Sequence, residues 1–437
     1  MTQAYVEDFT TAADAAAAAE PAWLAEARAQ AMTRFEAVGF PSTRSEDWRY
    51  TSVAPIAEAD FRTLRAASGE VTAEQLAPFT FGHPEWPTLV FVNGRCAPEL
   101  SSPAALPPGV RVLPLARALR EEPALVERYL TRLAGSDDAS QAFTALNTAL
   151  MQDGAVVLVG REARAEQPIH LVYVTDAYAA RGAAHLRNLI VAERHAEATV
   201  IESYVATGEA TYFTNVVTEV EVEAGATLRH YKVQRESPRA YHVGTVEARQ
   251  ERDSHYVSFS FATGAALSRT NVYTVLAGQG CGATLNGLYM VGGDQHVDHQ
   301  TRIEHAQPNC FSREVYKGVL DGASHAVFNG KVYVHPIAQK TDGKQSNNNL
   351  LLSERAHVDT KPQLEIFADD VKCTHGATVG RIDEMALFYM KSRGLSREQA
   401  RRLLTYAFAA DVLETIEVEA VRESLEQVTL ERFTSEE

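Results

Sequence analysis

The chain has 437 residues, 45% hydrophobic and 22% charged, enough for two or three domains with sizeable cores and too apolar for a disordered protein. Its formal net charge of −16, from 41 basic and 57 acidic side chains, argues against a general binder of nucleic acid or anionic membrane. Either partner demands a concentrated basic surface.

No apolar run approaches the ~18–20 residues that span a bilayer. The first basic residue is Arg28 and the alanine run Ala15 to Ala19 is short, so a secretory signal is not expected and a cytoplasmic location is. The four cysteines, Cys96, Cys281, Cys310 and Cys373, form neither a disulfide framework nor a C-x-x-C pair. They are expected to act singly, or with ligands supplied by the fold or another chain.

Residues 1–150 read mostly helical. Leu24, Ala27, Ala31, Phe35 and Val38 make one apolar stripe, closed by Gly39 and Pro41. Further helices are expected around Leu125 to Leu133 and from Ser140 through Phe143, Leu146 and Leu150, with a short strand at Leu89 to Val92. Residues 151–380 change to short alternating runs: Val216, Val220 and Val222 against Glu219, Glu221 and Glu223, and Val257, Phe259 and Phe261 against Ser258 and Ser260. Small turn-like clusters, including Gly280 to Thr284 and His375 to Thr378, recur at multiples of roughly 20 residues, a length that suits one solenoid coil. Asn286-Gly287, Asp321-Gly322, Asn329-Gly330 and Asp342-Gly343 are also hairpin signals, so a β-solenoid and an antiparallel sandwich both stand on pattern alone. Residues 381–437 return to helix. Ser396 and Gln399 form a capping box, followed by an apolar ladder of Ala400, Leu404, Phe408, Val412 and Ile416 broadened by Leu403. A ladder this wide is core or a partner-docking face.

The chain lacks a P-loop, H-E-x-x-H, an EF-hand loop and G-x-S-x-G. Half of its histidines (His296, His299, His305, His325, His335, His357 and His375) fall in one stretch near the end of the β region, which strengthens the case for a metal site. His296 and His299, three apart on a strand, nevertheless point to opposite faces, and most of the seven are expected to be ordinary hydrogen-bonded residues. The sharper pair is Cys373-Thr374-His375, because at i and i+2 on a strand the thiol and imidazole share a face. A nearby cation would lower that thiol's pKa. Two ligands are too few for a closed cluster site, so the remainder must come from elsewhere.

Several stretches carry a family resemblance: Phe40 to Thr51 (FPSTRSEDWRYT), His296 to Thr301 (HVDHQT), Gln345 to Ser353 (QSNNNLLLS), Asp370 to Gly380 (DVKCTHGATVG) and Phe388 to Gly394 (FYMKSRG). Over nearly its whole length the chain resembles the SufD family, subunits of the SUF iron–sulfur cluster assembly machinery. The related SufB family typically reads Glu-His-Glu-Ala where this chain has Thr374-His375-Gly376-Ala377, and has a functional cysteine in the region matching Gln345 to Leu352, where this chain has none.

The resemblance implies a mainly β fold: a right-handed parallel β-helix core (151–380) flanked by α-helical N-terminal (1–150) and C-terminal (381–437) domains. It implies a non-catalytic scaffold that pairs with SufB through the β-helix cores, docks the SufC ATPase on its C-terminal helices, and shares a nascent iron–sulfur cluster or iron at the SufB–SufD junction. By motif match His375 is the junction ligand and Cys373 a secondary thiol, while Ala400, Leu403, Leu404, Phe408 and Val412 are docking candidates. A homodimer in isolation is compatible with an exposed β-helix end, and flavin binding is not readable. The alternatives are a SufB-type paralogue, a mononuclear metalloenzyme using His296, His299 and His305, and a β-helix enzyme for acidic polysaccharide using Asp294, Asp298 and Asp321.

Overall fold

The structure, a computed structural model, describes residues 3–16, 20–64, 70–102, 106–135 and 141–432. It is mainly β, with a parallel β-solenoid of about eight turns and helices toward both termini. Each coil contributes one strand to each of two ten-stranded sheets. The first sheet ends on the strand His357–Ile366 and the second on Val371–Gly380. Pairing within the solenoid is parallel and in continuous register: Thr227, His255, Gly282 and Phe311 occupy one position in successive coils.

The repeat is thus longer than the pattern of turn-like clusters suggests, because a coil holds two full strands, such as Tyr241–Gln250 and His255–Ala262, plus two turns. Three of the four hairpin signals lie within strands: Asn286-Gly287, Asn329-Gly330 and Asp342-Gly343. Gly287 is there for space, since a Cβ would overlap the ring of Tyr316 on the neighbouring strand. His375 to Thr378, read as turn-like, is also strand. Only Asp321-Gly322 turns the chain.

The coils enclose an apolar interior that includes Val200, Val220, Val222, Leu228, Leu285 and Tyr316. Toward the other ends of the same strands the interior is polar. There Tyr204 Oη donates to Glu202 Oε2 at 2.6 Å, and the Lys232 ammonium donates to His242 Nε2 at 2.8 Å. His242 Nδ1 stands 2.7 Å from Glu236 Oε2. Burial pulls Lys232 down to about 8. Pairing on this scale fits the rule that buried polar groups carry partners.

N-terminal helices Ala22–Val38 and Ala142–Leu150 pack together and against the first sheet through Phe35, Trp48, Phe143, Leu146 and Phe213. Gly39, at φ +64°, ends the first of these by donating its N–H to the Phe35 carbonyl at 2.8 Å, as a left-handed C-terminal residue should. Ser140, expected to open the second, lies outside the described residues. The expected helix near Leu125 runs Pro123–Tyr129. The strand expected at Leu89 to Val92 is Thr88–Val92, which extends the second sheet beside Ile169–Thr175. Helices Arg397–Leu413 and Glu419–Arg432 bury Val412, Leu413 and Leu425, with Ile416 of the segment between them, against Tyr231, Phe259, Phe261 and Leu288 of the second sheet.

Candidate functional site at the last coil

Val371–Gly380 has one strand neighbour, Thr341–Leu351; among the described residues its other edge is unpaired. Cys373 lies opposite Gly343 and His375 opposite Gln345. The two-residue spacing sets both on one face, over a floor in which Gln345, Asn347 and Asn349 are buried. That floor is tied together: Asn349 Nδ2 donates to Asn347 Oδ1 at 2.6 Å, Tyr289 Oη to Asn349 Oδ1 at 2.6 Å, and Gln345 Nε2 to Glu314 Oε2 at 2.6 Å. Burial raises the Glu314 carboxyl to about 7.

Cys373 is half-buried beside Val332, Val334 and Ala338, with its sulfur close to Gly343, where a Cβ would sit 3.4 Å from Sγ. Burial, then the Asp342 carboxylate, raises its thiol pKa. The pull is opposite to that of a nearby cation and favours the protonated thiol. His375 is exposed and has no hydrogen-bond partner among the described residues. The site therefore offers one accessible imidazole and one shielded thiol.

The other sequence candidates are distributed differently. His296, His299 and His305 do not converge. His296 faces outward against Thr51, His299 is buried and stacked on Tyr289 at 5.1 Å, and His305 bonds Ser312 at 2.9 Å. The mononuclear site built on these three is discarded: His296 points to the opposite face from His299, and His299 and His305, though both inward, stand six residues apart along the strand. Nor are all four cysteines solitary. Cys281 and Cys310 precede paired strands, and their sulfurs lie 3.1 and 3.3 Å from the Gly278 carbonyl oxygen. A hydrogen bond between them lowers the Cys281 thiol and raises that of Cys310.

On the C-terminal helix the apolar ladder is divided. Ala400 and Val412 are buried, and Val412 belongs to the core against the second sheet. Phe408 and Leu404 are half-buried, with Lys317 Nζ 4.6 Å from the centre of the Phe408 ring. Leu403 is 45% exposed, and Met385, Phe388 and Tyr389 of the preceding helix are exposed too. Ala400 and Val412 are thus internal packing, leaving Leu403 as the docking candidate most open to solvent.

Sequence reasoning missed the buried ion pairs. Arg187 and Glu219 meet at 2.6 Å without exposure, and Glu219 also accepts from the Thr131, Leu133 and Ala134 amides. Glu219 sits in the Val/Glu alternation, which signals a solvent-facing carboxylate unless a covering segment is known.

A parallel solenoid whose last coil carries a Cys-x-His pair and has one strand edge unpaired among the described residues, with terminal helices over its outer faces, defines a helix-flanked β-solenoid class of protein. Family models agree on which one. Residues 173–408 match "SUF system FeS cluster assembly, SufBD core domain" and residues 1–171 match "SufBD protein N-terminal region". The chain belongs to the SufBD family, whose role is in iron–sulfur cluster assembly. It is 35% identical to the iron-sulfur cluster assembly protein SufD of Escherichia coli over 89% of this chain and 88% of that one. It is 30% identical to SufD of Bacillus subtilis over 94% of both chains, and 30% identical to the chloroplastic protein ABCI7 of Arabidopsis thaliana over 88% of this chain and 81% of that one. Among the described residues no helix is long and apolar enough to cross a membrane.

Proposed function

We propose that this chain is a non-catalytic, cytoplasmic scaffold subunit of iron–sulfur cluster assembly. The observation that carries the reading is His375, accessible and without a partner among the described residues, on the inner face of a coil whose outer edge is unpaired. A strand edge invites another chain to continue the sheet, and the partner of this edge is a SufB-type subunit, or a second copy when the chain is alone. His375, with Cys373 beneath it, supplies part of the ligand set for iron or a nascent cluster, and the partner supplies the rest. The division into 1–150, 151–380 and 381–437 assigns anchoring, the pairing surface and docking of a SufC-type ATPase to successive segments. In the last, Leu403, with Met385, Phe388 and Tyr389, presents the apolar surface.

The test is anaerobic co-purification with SufB- and SufC-type chains from the same cell, followed by iron and sulfide assay. His375→Ala is expected to keep the complex and lose iron and sulfide. A complex with undiminished iron removes His375 from the site, and no complex at all removes the scaffold reading.

A further inference from the structure

Three successive coils of the first sheet place a histidine at one register position: His296 opposite His325, and His325 opposite His357. Two residues beyond His357 on the same strand, hence on the same outer face, is Asp359. His325 Nε2 lies 2.8 Å and His357 Nε2 3.2 Å from a single oxygen, Asp359 Oδ2. One potential ligand atom from each of these three residues falls within 4.8 Å of the other two. His357 is exposed, and His325 and Asp359 are half-buried, so the group opens to solvent on one side.

Neighbouring groups are already committed. Lys361 pairs with Glu46 at 2.6 Å. Thr51 Oγ1 donates to Asp298 Oδ2 at 2.6 Å, so His296 Nε2, 2.9 Å from that hydroxyl, must be its donor. Asp359 is left facing the two imidazoles.

We infer that His325, His357 and Asp359 form a binding site for a divalent transition-metal ion of the zinc or ferrous class, on the sheet opposite the one that carries His375. Two imidazoles and one carboxylate on a single face, with coordination positions left to water, suit such ions. Two imidazoles suit the hard ions magnesium and calcium poorly. Tetrahedral bonds of ~2.0–2.1 Å set ligand atoms about 3.3–3.4 Å apart. The observed 2.8 and 3.2 Å therefore need only a small outward movement of the two imidazoles from the carboxylate. The site goes beyond the scaffold reading and does not rest on it.

The tag-free full-length chain is titrated with Co(II) as an optical probe, then challenged with Zn(II). A single equivalent giving d–d absorption, displaced by zinc, is expected. His357→Ala and Asp359→Asn should each weaken binding by more than the ~10–100-fold that loss of an outer-shell partner costs, whereas His375→Ala and Cys373→Ser leave it unchanged. His357 is exposed and Asp359→Asn is nearly isosteric, so both variants fold, which melting curves verify. Absence of a stoichiometric Co(II) complex, or full affinity retained in both variants, overturns the site. Binding lost only in His375→Ala assigns the metal to the last coil and also overturns it.

Discussion

Arg269 and Asp298 form a buried ion pair at 2.7 Å while the Arg269 guanidinium lies 3.6 Å from the centre of the Trp48 ring. Arg269 also donates to the Asp47 carbonyl at 2.7 Å, and Thr51 donates to Asp298. The Phe40 to Thr51 stretch that carries the family resemblance is therefore anchored to the outside of the solenoid by one cation and one anion from adjacent coils. Removing one member of a buried pair leaves an uncompensated charge, at a cost of roughly 3–5 kcal/mol. Asp298→Ala should lower stability by about that amount in chemical denaturation and expose residues 20–64 to protease. Unchanged proteolysis would mean that the segment is held by its apolar contacts alone.

Glu314 makes stability depend on pH. Burial raises its carboxyl to about 7, above its ordinary value, so the native state holds a proton that the unfolded chain releases near pH 4–5. Its contribution is full below that range and is lost as pH rises through about 7. Glu314→Gln, which cannot ionise, should match the parent at pH 5 and exceed it at pH 8, by on the order of 2 kcal/mol. Thermal unfolding at the two pH values decides; an equal difference at both would exclude titration as the cause.

Gly287 is required for space. An alanine there collides with Tyr316, so Gly287→Ala should cost roughly 1–3 kcal/mol as overpacking. Combined with Tyr316→Leu, the added penalty should shrink, giving a coupling energy in a double-mutant cycle. Strict additivity would place the clash elsewhere.

The C-terminal helices permit a paired comparison. Val412→Asp puts a charge into the packing against the second sheet and should destabilise the chain by several kcal/mol, on the order of the cost of burying an unpaired ion. Leu403→Asp should leave the melting temperature within about 1–2 °C, as surface changes do, and weaken capture of the SufC-type ATPase. If Leu403→Asp leaves capture intact, the docking surface lies on another face.

The sequence reveals whatever a two-residue period controls. Cys373 and His375 were bound to share a face once the stretch was strand, and they do. Gly39 and Pro41 likewise mark a helix end without tertiary help. What stayed hidden depends on which strands become neighbours. The Asn-Gly pairs are hairpin signals in isolation, and only the adjacent coil's Tyr316 explains why position 287 is a glycine within a strand. The wide ladder from Ala400 to Val412 could not be divided into core and surface before the sheet beneath it was known. The histidine column did leave a trace, since the intervals from His296 to His325 and from His325 to His357 are each close to one coil. Without the coil length, that spacing is indistinguishable from scatter.

The anchoring of Trp48 also has a consequence for the order of events during translation. The Asp47 carbonyl and its Arg269 donor are 222 residues apart in sequence, and Glu46 and Lys361 are 315 apart. At about 5–20 residues per second, residues 46–51 are polymerised roughly 10–45 s before Arg269. Residues 46–51 can pack on Phe143 and Phe213 early, but their polar anchors arrive only with the coils that carry Arg269, Asp298 and Lys361, so a chain truncated before those coils keeps the apolar contacts of this segment and lacks its ion pairs.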